Sequence, residues 1–546
     1  MTWRGVGLGL LAGVLLTTPL IAVMYAANHW LDLSFPPFDT FDWVARELPG
    51  PLVTFGIDTM IEVLMFAGLS VKDFAKTAEQ IMAVGNFLIF GVALTALVYW
   101  LVHSRGPNVP LYWGAIVGAV VGLFVAGITA SITQSSVHAG IIFLWTLALA
   151  TAWGIGAVWT SSRLILASAT VYESEDGDAS VVVYGRRQFL LYMGAGAAAV
   201  TVAGVGLGRI LATRDEQRLA EQLAAANGAA PGMADMVELP NADDPVKPAL
   251  GTRPEYTAVR DHYRVFIRSE PTVIDGATWT LPITGLVAAP AMLTLDDLRN
   301  NYESRSEFVT LSCISNSVGG DLISTTYWTG VSLQDVLRDV QPTAEAGYLD
   351  ITCGDGFHET VALDLIDSDP RIMLAYAWDG RPIPFDHGFP LRIWIPDRYG
   401  MKQPKWITGI EVISEEREGY WVARGWDAVA RVHATSVVDT VAIDGIYHGG
   451  DDVRFVPVGG IAYAGARGIS KVEVRVDGRG PWHEAQLRSP LSDTTWVIWR
   501  YDWPFQAGRH TFRVRTVEAD GTPQATAVAP PRPSGATGLH TKQATV

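Results

Sequence analysis

Cysteine is scarce in this chain: its 546 residues include only Cys313 and Cys353. Two thiols are too few for a disulfide scaffold, a four-thiolate zinc site or an iron–sulfur cluster. The sequence Cys-x-x-Cys-His, which attaches c-type haem, does not occur. Any cysteine chemistry in this protein must therefore depend on a single thiolate.

Positive charge is also in short supply. The chain has 40 Lys and Arg against 56 Asp and Glu, which gives a formal net charge of −16. Binding to nucleic-acid phosphates needs an excess of cations, so the composition excludes a general nucleic-acid binder. Residues 256–427 also contain no GxGxxG or phosphate-loop sequence, the signatures of dinucleotide and nucleotide sites.

Long apolar segments, by contrast, are abundant in the first 212 residues. Three of them contain no Asp, Glu, Lys or Arg and match the roughly 20 residues that span a bilayer core. Together with two flanking segments they predict an all-α transmembrane bundle with spans at residues 5–27, 81–102, 111–132, 137–160 and 189–210. A sixth apolar segment, residues 51–69, carries Asp58 and Glu62, which favours an interfacial or re-entrant helix over a span.

Charges in the short connecting segments predict the orientation of this bundle. Five arginines fall on one side, whereas the loop 30–79 on the other side is rich in Asp and Glu. The five are Arg4, Arg105, Arg163, Arg186 and Arg187. Because positive loops stay in the cytoplasm, we expect a multi-pass protein of the plasma membrane whose chain after about residue 212 is extracytoplasmic.

The entry to the last span reads Gly185-Arg186-Arg187-Gln188-Phe189-Leu190-Leu191. This sequence resembles a twin-arginine export signal, which moves a folded domain across a membrane. An ordinary positive-inside pair of arginines is the alternative.

The remainder of the chain divides into four parts. Residues 213–254 begin with an amphipathic pattern and then become rich in Pro, Gly and Asp, which predicts a linker. Residues 255–428 mix short β-rich and helical runs, as an α+β domain does. Period-two alternation in residues 429–529 predicts an immunoglobulin-like β-sandwich. Residues 530–546 are rich in Pro, Ser, Gly and Thr, which predicts a disordered tail.

The segment Thr310-Leu-Ser-Cys-Ile-Ser-Asn-Ser-Val-Gly-Gly-Asp321 has the densest set of chemically useful side chains. A lone cysteine is more often a small buried apolar residue than a ligand. Here, however, Ser312, Ser315 and Asn316 and two glycines surround Cys313 with a polar loop in which a thiolate could lie close to a cofactor. A soft thiolate suits a transition metal.

Several further sequence blocks follow one another between about Arg260 and Val528. They are His262-Tyr-Arg264, Trp279-Thr-Leu, Leu311-Ser-Cys-Ile-Ser-Asn, Trp328-Thr-Gly-Val, Asp355-Gly-Phe, Leu374-Ala-Tyr, His387-Gly-Phe-Pro-Leu-Arg392, Tyr399-Gly, Lys405-Trp406 and Tyr420-Trp421. In this order they resemble the sulfite oxidase family of molybdenum cofactor enzymes, and its membrane-anchored bacterial branch in particular.

The resemblance implies a molybdenum–molybdopterin cofactor whose metal takes one protein thiolate, and the matching residue is Cys313. It also implies a set of residues that bind the pterin and its phosphate: Tyr263, Arg264, Asp355, His387, Arg392, Gln403 and Lys405. The physical chemistry agrees, because phosphate favours the planar charge of Arg392 and the point charge of Lys405.

Two departures from the family pattern fall on the substrate side of the site. Trp426 stands where sulfite-oxidising members have a tyrosine, and His433 stands where a lysine is expected. The oxidation of sulfite therefore does not carry over. Arg424 and His433 are the candidate catalytic residues beside Cys313, with a structural role as the alternative for each.

The sequence thus predicts a membrane-anchored molybdenum oxidoreductase with an extracytoplasmic active site, which performs two-electron oxygen-atom transfer on a small-molecule substrate. The alternatives are a reductase of sulfoxide-like substrates and a non-catalytic membrane receptor or scaffold. We expect a separate electron carrier, either a cytochrome or a quinone-linked protein. The sandwich has the position of the family's dimerisation domain, which predicts a homodimer.

Overall fold

The computed structural model describes residues 3–133, 135, 137–166, 185–225, 239–450 and 453–546. The chain divides into two compact units, each assembled from segments that are distant in sequence. The first unit comprises Met1–Leu48, Lys76–Gln222 and Arg268–Glu270. The second unit comprises Pro49–Ala75, Leu223–Ile267 and Pro271–Val546.

Seven helices come first along the described chain. They are α1 (Trp3–Leu31), α2 (Pro36–Glu47), α3 (Gly50–Phe66), α4 (Val71–Arg105), α5 (Tyr112–Ile132), α6 (Ala139–Leu166) and α7 (Arg186–Ala225). Five of them, α1 and α4 to α7, contain segments long and apolar enough to cross a membrane. Each of the five segments predicted from the sequence falls in one of these helices, with at most two residues outside it. Helix α3 has 17 residues and is not among the five.

Helices α5 and α6 of the first unit approach each other closely through small residues. A Cβ atom at Gly114 would lie 2.5 Å from the carbonyl oxygen of Gly154, and one at Gly118 would lie 2.4 Å from that of Ala150. Only glycine fits at such distances. Small residues at helix contacts are typical of bundles in lipid, where close packing replaces the hydrophobic effect.

The tripeptide 268–270 is bound within the first unit by buried polar groups. The backbone N–H and the hydroxyl of Ser269 donate to Asp42 Oδ1 at 2.9 and 2.7 Å. Arg268 donates to the carbonyl oxygen of Ile132 at 2.9 Å, and its own carbonyl accepts from Lys76 Nζ at 2.7 Å. These bonds fix a short piece of chain whose neighbours in sequence belong to the second unit.

The α+β part of the second unit contains two sheets. Its strands are β1 (Thr280–Gly285), β2 (Ala291–Thr294), β3 (Ser304–Ser312), β4 (Ile323–Ser332), β5 (Tyr348–Cys353), β6 (His358–Ala362), β7 (Met373–Trp378), β8 (Arg381–Pro382), β9 (Arg392–Trp394) and β10 (Ile407–Ile413). One sheet has the order β2-β1-β10-β5-β6, and the other has the order β3-β4-β7-β8 with β9 paired to β7. All pairs are antiparallel except β1 with β10.

Short helices connect these strands: α8 (Leu295–Asn301), α9 (Leu333–Val340) and α10 (Leu363–Ser368). Helix α9 buries Leu333, Val336, Leu337 and Val340. This spacing places the four side chains on one helical face, so α9 packs as an amphipathic helix. The mixed α+β architecture predicted for this region is confirmed.

The C-terminal part of the second unit consists of two antiparallel sheets. Its strands are β11 (Thr435–Val441), β12 (Tyr447–His448), β13 (Arg454–Tyr463), β14 (Ile469–Val476), β15 (His483–Glu484), β16 (Gln486–Leu487), β17 (Val497–Pro504), β18 (Arg509–Glu518) and β19 (Thr541–Thr545). The orders are β11-β13-β17-β16, with β12 on β13, and β15-β14-β18-β19. Val458, Val472, Trp499 and Phe512 from both sheets share one buried core. The immunoglobulin-like classification stays a prediction.

The predicted disordered tail is wrong. Strand β19 pairs with β18 from Arg509–Thr545 to Arg513–Thr541, and Ser534 donates to Asp427 at 2.7 Å. A segment rich in Pro and Gly has few apolar side chains to bury, which is why its composition predicts disorder. This segment is instead held in place by backbone hydrogen bonds. Those bonds also cover the edge of β18, which would otherwise be open to pairing with other chains.

The predicted linker is only partly a linker. Its residues 226–238 lie outside the described residues, and its first part continues α7 to Ala225. Residues 239–254 pack within the second unit: Arg488 donates to the carbonyl oxygen of Asn241 at 2.6 Å, and Arg253 forms two hydrogen bonds to Asp439 Oδ1. Pro and Gly shape the turns here, but the hydrogen bonds of Arg253 and of the buried Arg488 hold them in place.

Candidate active site

The second unit contains a cavity of about 140 Å³. Seven of the eight residues that the sequence assigned to the cofactor line it: Tyr263, Cys313, Asp355, His387, Arg392, Gln403 and Lys405. They come from segments spread over more than 140 positions of the chain. The fold therefore brings the expected cofactor residues together around one space.

Cys313 follows directly after β3 and begins a tight loop. Its backbone N–H donates to the carbonyl oxygen of Leu322 at 2.9 Å, and its carbonyl accepts from Asn316 at 3.1 Å. Burial raises the pKa of the Cys313 thiol, while Ser315, whose Oγ lies 3.0 Å from Sγ, acts in the opposite direction. A metal bound here would offset the burial, because coordination deprotonates a thiol.

Arg392 opens strand β9 with a buried guanidinium. Nη1 donates to the carbonyl oxygen of His387 at 2.9 Å, and the guanidinium carbon lies 4.3 Å from the ring centre of Trp328. Burial lowers the pKa of Arg392 to about 10, so the group still carries its charge at neutral pH. The cavity thus has a fixed positive group for an anionic part of a ligand.

Two buried histidines lie side by side on the cavity wall, with the ring centres of His262 and His387 5.1 Å apart. Burial lowers the pKa of His262 to about 3 and that of His387 well below its usual range, and nearby cations such as Lys405 contribute. Both rings are neutral at neutral pH. Nδ1 of His262 donates to the carbonyl oxygen of Tyr263 at 2.8 Å, which leaves Nε2 as a hydrogen-bond acceptor.

Gln403 and Lys405 lie on the segment that leads into β10. The Gln403 side-chain N–H₂ donates to the carbonyl oxygens of Ile395 and Arg398 at 3.2 and 2.8 Å, which fixes the orientation of the amide. Lys405 Nζ donates to the carbonyl oxygen of Val265 at 3.0 Å. Both side chains are therefore held at the cavity wall by backbone oxygens.

Four buried polar atoms of the lining residues have no hydrogen-bond partner among the described residues. They are His262 Nε2, Arg392 Nε, Gln403 Oε1 and Trp426 Nε1. A buried polar atom without a partner costs about 1–3 kcal/mol, so native sites seldom leave several together. Two acceptors and one cationic donor fit the N–H groups and the anionic phosphate of a molybdopterin. The residues present therefore suit the cofactor that the sequence implied.

Arg264, Arg424 and His433 are not among the residues that line the cavity. Arg264 is half-exposed, with Nη1 3.5 Å from Asp386. The guanidinium of Arg424 stacks on Tyr420, 3.7 Å from the ring centre, and donates to the carbonyl oxygen of the same residue. The His433 N–H donates to the hydroxyl of Tyr399 at 3.1 Å. The functional roles assigned to these three residues stay predictions.

Sequence reasoning missed several lining residues. His262 stands in a block already matched to the family, so that block was a usable signal. Ile57, Phe357, Met401 and Trp421 also line the cavity. Nothing in the sequence connects Ile57 to residues more than 200 positions away, because its place in the wall depends only on tertiary contacts.

Comparison with known proteins places the site in a family. Residues 268–421 match the family described as oxidoreductase molybdopterin binding domain. The nitrate reductase (NAD(P)H) of Hordeum vulgare is 28% identical over 315 residues, which cover 47% of this chain and 35% of that protein. The mitochondrial sulfite oxidase of Macaca fascicularis is 29% identical over 343 residues, which cover 50% of this chain and 61% of that protein.

The match to these relatives is partial, because the chain spans less than two thirds of the length of either. Among solved structures, the sulfane dehydrogenase SoxCD from Paracoccus pantotrophus gives a TM-score of 0.47 at 17% identity, covering 57% of this chain and 86% of that one. The resemblance drawn from the sequence blocks is confirmed by the family match and the two relatives. Residues 268–421 are therefore a molybdopterin-binding oxidoreductase domain that is similar to sulfite oxidases and nitrate reductases, and the cofactor that this domain implies is molybdopterin.

Proposed function

We propose that this protein is a membrane-anchored molybdenum oxidoreductase that performs two-electron oxygen-atom transfer on a small substrate at an extracytoplasmic site. The observation that carries the proposal is the cavity wall, where Cys313 lies with six other expected cofactor residues and with four polar atoms that have no hydrogen-bond partner among the described residues. When bound, the cofactor supplies the oxygen-atom and electron chemistry, and the protein supplies binding and orientation.

Each lining residue has a task that its environment supports. Cys313 would provide the thiolate for the metal. Arg392 and Lys405 would hold the phosphate, since both are cations fixed by backbone oxygens. His262 Nε2 and Gln403 Oε1 would accept hydrogen bonds from the pterin, because each residue has its other polar atom already engaged.

The rest of the wall controls the substrate. Phe357, Met401, Trp421 and Trp426 line the cavity with apolar surface, which excludes water from the reacting centre. Arg424, the cation expected on the substrate side, is not in the lining. Apolar walls favour an uncharged substrate over an anion such as sulfite, and this observation supports a reductase of sulfoxide-like compounds as the second candidate.

The helices of the first unit support the membrane part of the proposal. Five of them are long and apolar enough to span a bilayer, and the distribution of arginines predicts that the cofactor domain is outside. Arg186 donates from Nε to the carbonyl oxygen of Leu164 at 3.0 Å. This bond gives one arginine of the pair a structural role beside α6, so the twin-arginine export signal stays a prediction. So do the separate electron carrier and the homodimer.

Metal analysis and activity assays test the proposal together. Protein would be purified from membranes and analysed for molybdenum and pterin. It would then be assayed for reduction of dimethyl sulfoxide with a reduced viologen and for oxidation of sulfite with ferricyanide. We expect about one molybdenum per chain, as for a closed site, and turnover in one direction. Protein from cells grown with tungstate is the control. Folded protein without molybdenum, from cells able to make the cofactor, would instead indicate a receptor or scaffold.

A further inference from the structure

One residue that lines the cavity, Ile57, lies far in sequence from the other lining residues. Residues 49–75 lie in sequence between the apolar helices α1 and α4, yet they belong to the second unit. We propose that this segment, the cap, closes the substrate side of the active-site cavity and that its residue Ile57 determines which substrates are accepted. This inference rests on the oxidoreductase function proposed above and adds a specificity-determining residue from outside the family match.

The beginning of the cap is fixed to the second unit by close backbone packing and by an arginine. A Cβ atom at Gly50 would lie 2.9 Å from the Cα and the carbonyl oxygen of Arg424, so only glycine allows this approach. Arg532 donates from Nη1 to the hydroxyl of the buried Thr54 and from Nη2 to the carbonyl oxygen of Arg424 at 2.7 Å. The start of α3 is thus held in place on two sides.

The end of the cap is fixed to the loop that carries Cys313. Asp321 closes that loop and accepts from the hydroxyl of Ser70 at 2.7 Å and from the backbone N–H of Lys72 at 3.4 Å. Lys72 Nζ donates to the carbonyl oxygen of Asp261 at 3.1 Å. Val71 packs against the buried cluster that contains Cys313 and Tyr263. Both ends of the cap are therefore anchored around the cavity.

Between these anchors, helix α3 has an inner and an outer side. Thr54 and Leu64 are buried, whereas Phe55 is 70% exposed and Phe66 is 96% exposed. Ile57 is partly buried and lines the cavity. In the part of the chain that the structure describes, every other lining residue falls between His262 and Trp426. Ile57 is thus the point at which the cap reaches the reaction space.

The chemistry of the lining explains why this position would control specificity. The residues assigned to the cofactor provide the polar groups of the wall, and the side chains left for the substrate are mainly apolar: Ile57, Ile314, Phe357, Met401, Trp421 and Trp426. An apolar wall accepts uncharged, partly apolar molecules and discriminates by size. One methylene in such a pocket changes kcat/KM by roughly 10–200-fold.

A smaller and a larger side chain at position 57 test whether the cap determines specificity. The ratio of kcat/KM for methyl phenyl sulfoxide to that for dimethyl sulfoxide would be measured, or the ratio for the corresponding sulfides if the enzyme runs as an oxidase. We expect Ile57→Ala to raise this ratio about 10-fold or more and Ile57→Trp to lower it. Phe55→Ala, on the outer side of the same helix, is the matched control and should leave the ratio unchanged. Molybdenum content should be the same in all four proteins.

A ratio that stays at the wild-type value in both Ile57 variants, with wild type active, would overturn the role of Ile57. A second measurement does not need activity. Ile57→Cys and Phe55→Cys would be compared for their rate of reaction with a maleimide, with both native cysteines buried. We expect the inner position to react at least about 10-fold more slowly, since labelling follows exposure. Equal labelling rates at the two positions would show that Ile57 does not face an enclosed cavity. This result would contradict the cap whether or not the protein is an enzyme.

Discussion

The two units bury charged groups in different ways. In the first unit, the buried polar groups around Asp42 mostly satisfy one another: Ser269 donates twice to Asp42, and Arg268 lies within 3.8 Å of both Asp39 and Asp42. One oxygen of Asp39 has no partner among the described residues. Burial, however, raises the pKa of Asp39 to about 8, so this carboxyl keeps its proton at neutral pH and avoids a buried charge.

In the cavity of the second unit, burial does not neutralise the charged group in this way. Arg392 keeps its charge at neutral pH, and the free acceptors of His262 and Gln403 have no donor among the residues described there. Buried polar groups that satisfy one another stabilise the fold, whereas buried polar groups left open at a cavity are suited to bind a ligand.

The largest expected effect separates the two buried cysteines. Cys313→Ser should reduce activity to the background level because it removes the thiolate from the metal. Cys353→Ser should keep activity per folded molecule, because Cys353 lies at the end of β5 and is not in the cavity lining. Turnover and molybdenum content of both variants check this. An active Cys313→Ser protein would remove the central assignment of the site.

A smaller loss is expected when the positive charge of the cavity is removed. Arg392→Ala should weaken cofactor binding by about 10–100-fold, the range typical of residues that support a bound metal group. Arg264→Ala should change it little, because Arg264 is half-exposed and outside the lining. Pterin content after dialysis compares the two. Circular dichroism would check that both variants are folded. Equal loss of pterin in both variants would show that Arg264 also binds the cofactor.

The smallest effect concerns the pH dependence of stability in the first unit. Because the pKa of Asp39 is about 8 in the folded chain and 3.8 ordinarily, the folded state binds the proton more tightly, and stability falls as pH rises from about 4 to about 8. Asp39→Asn should lose this dependence and exceed wild type in Tm at pH 9 by more than at pH 5.

Thermal unfolding in detergent at both pH values measures this difference, and each kcal/mol corresponds to about 2–4 °C in a unit of this size. Asp32→Asn is the control, since Asp32 is exposed and its left-handed backbone accepts asparagine. If Asp39→Asn shows the same change of Tm with pH as the wild type, the carboxyl of Asp39 is ionised in the folded protein and this prediction is wrong.

Much of the site could be predicted because its residues stand in ordered sequence blocks. Cys313 and Arg392 lie in such blocks, and both line the cavity. Arg264 lies in one too, but a neighbouring position in sequence does not fix the direction of a side chain, and Arg264 pairs with Asp386 instead. The composition of the tail predicts disorder because composition does not reveal the backbone pairing that holds β19 on β18.

Local sequence patterns are enough to identify the apolar helices, the scarcity of thiols and the resemblance of the cofactor domain to its family. Each of these features can be recognised from the types of residue that stand close together in the sequence. Three further facts appear only in the folded chain: residues 49–75 join the cofactor domain, Ile57 lines the cavity, and several buried polar atoms there have no partner among the described residues. Such facts depend on contacts between segments hundreds of residues apart, which no local pattern in the chain encodes.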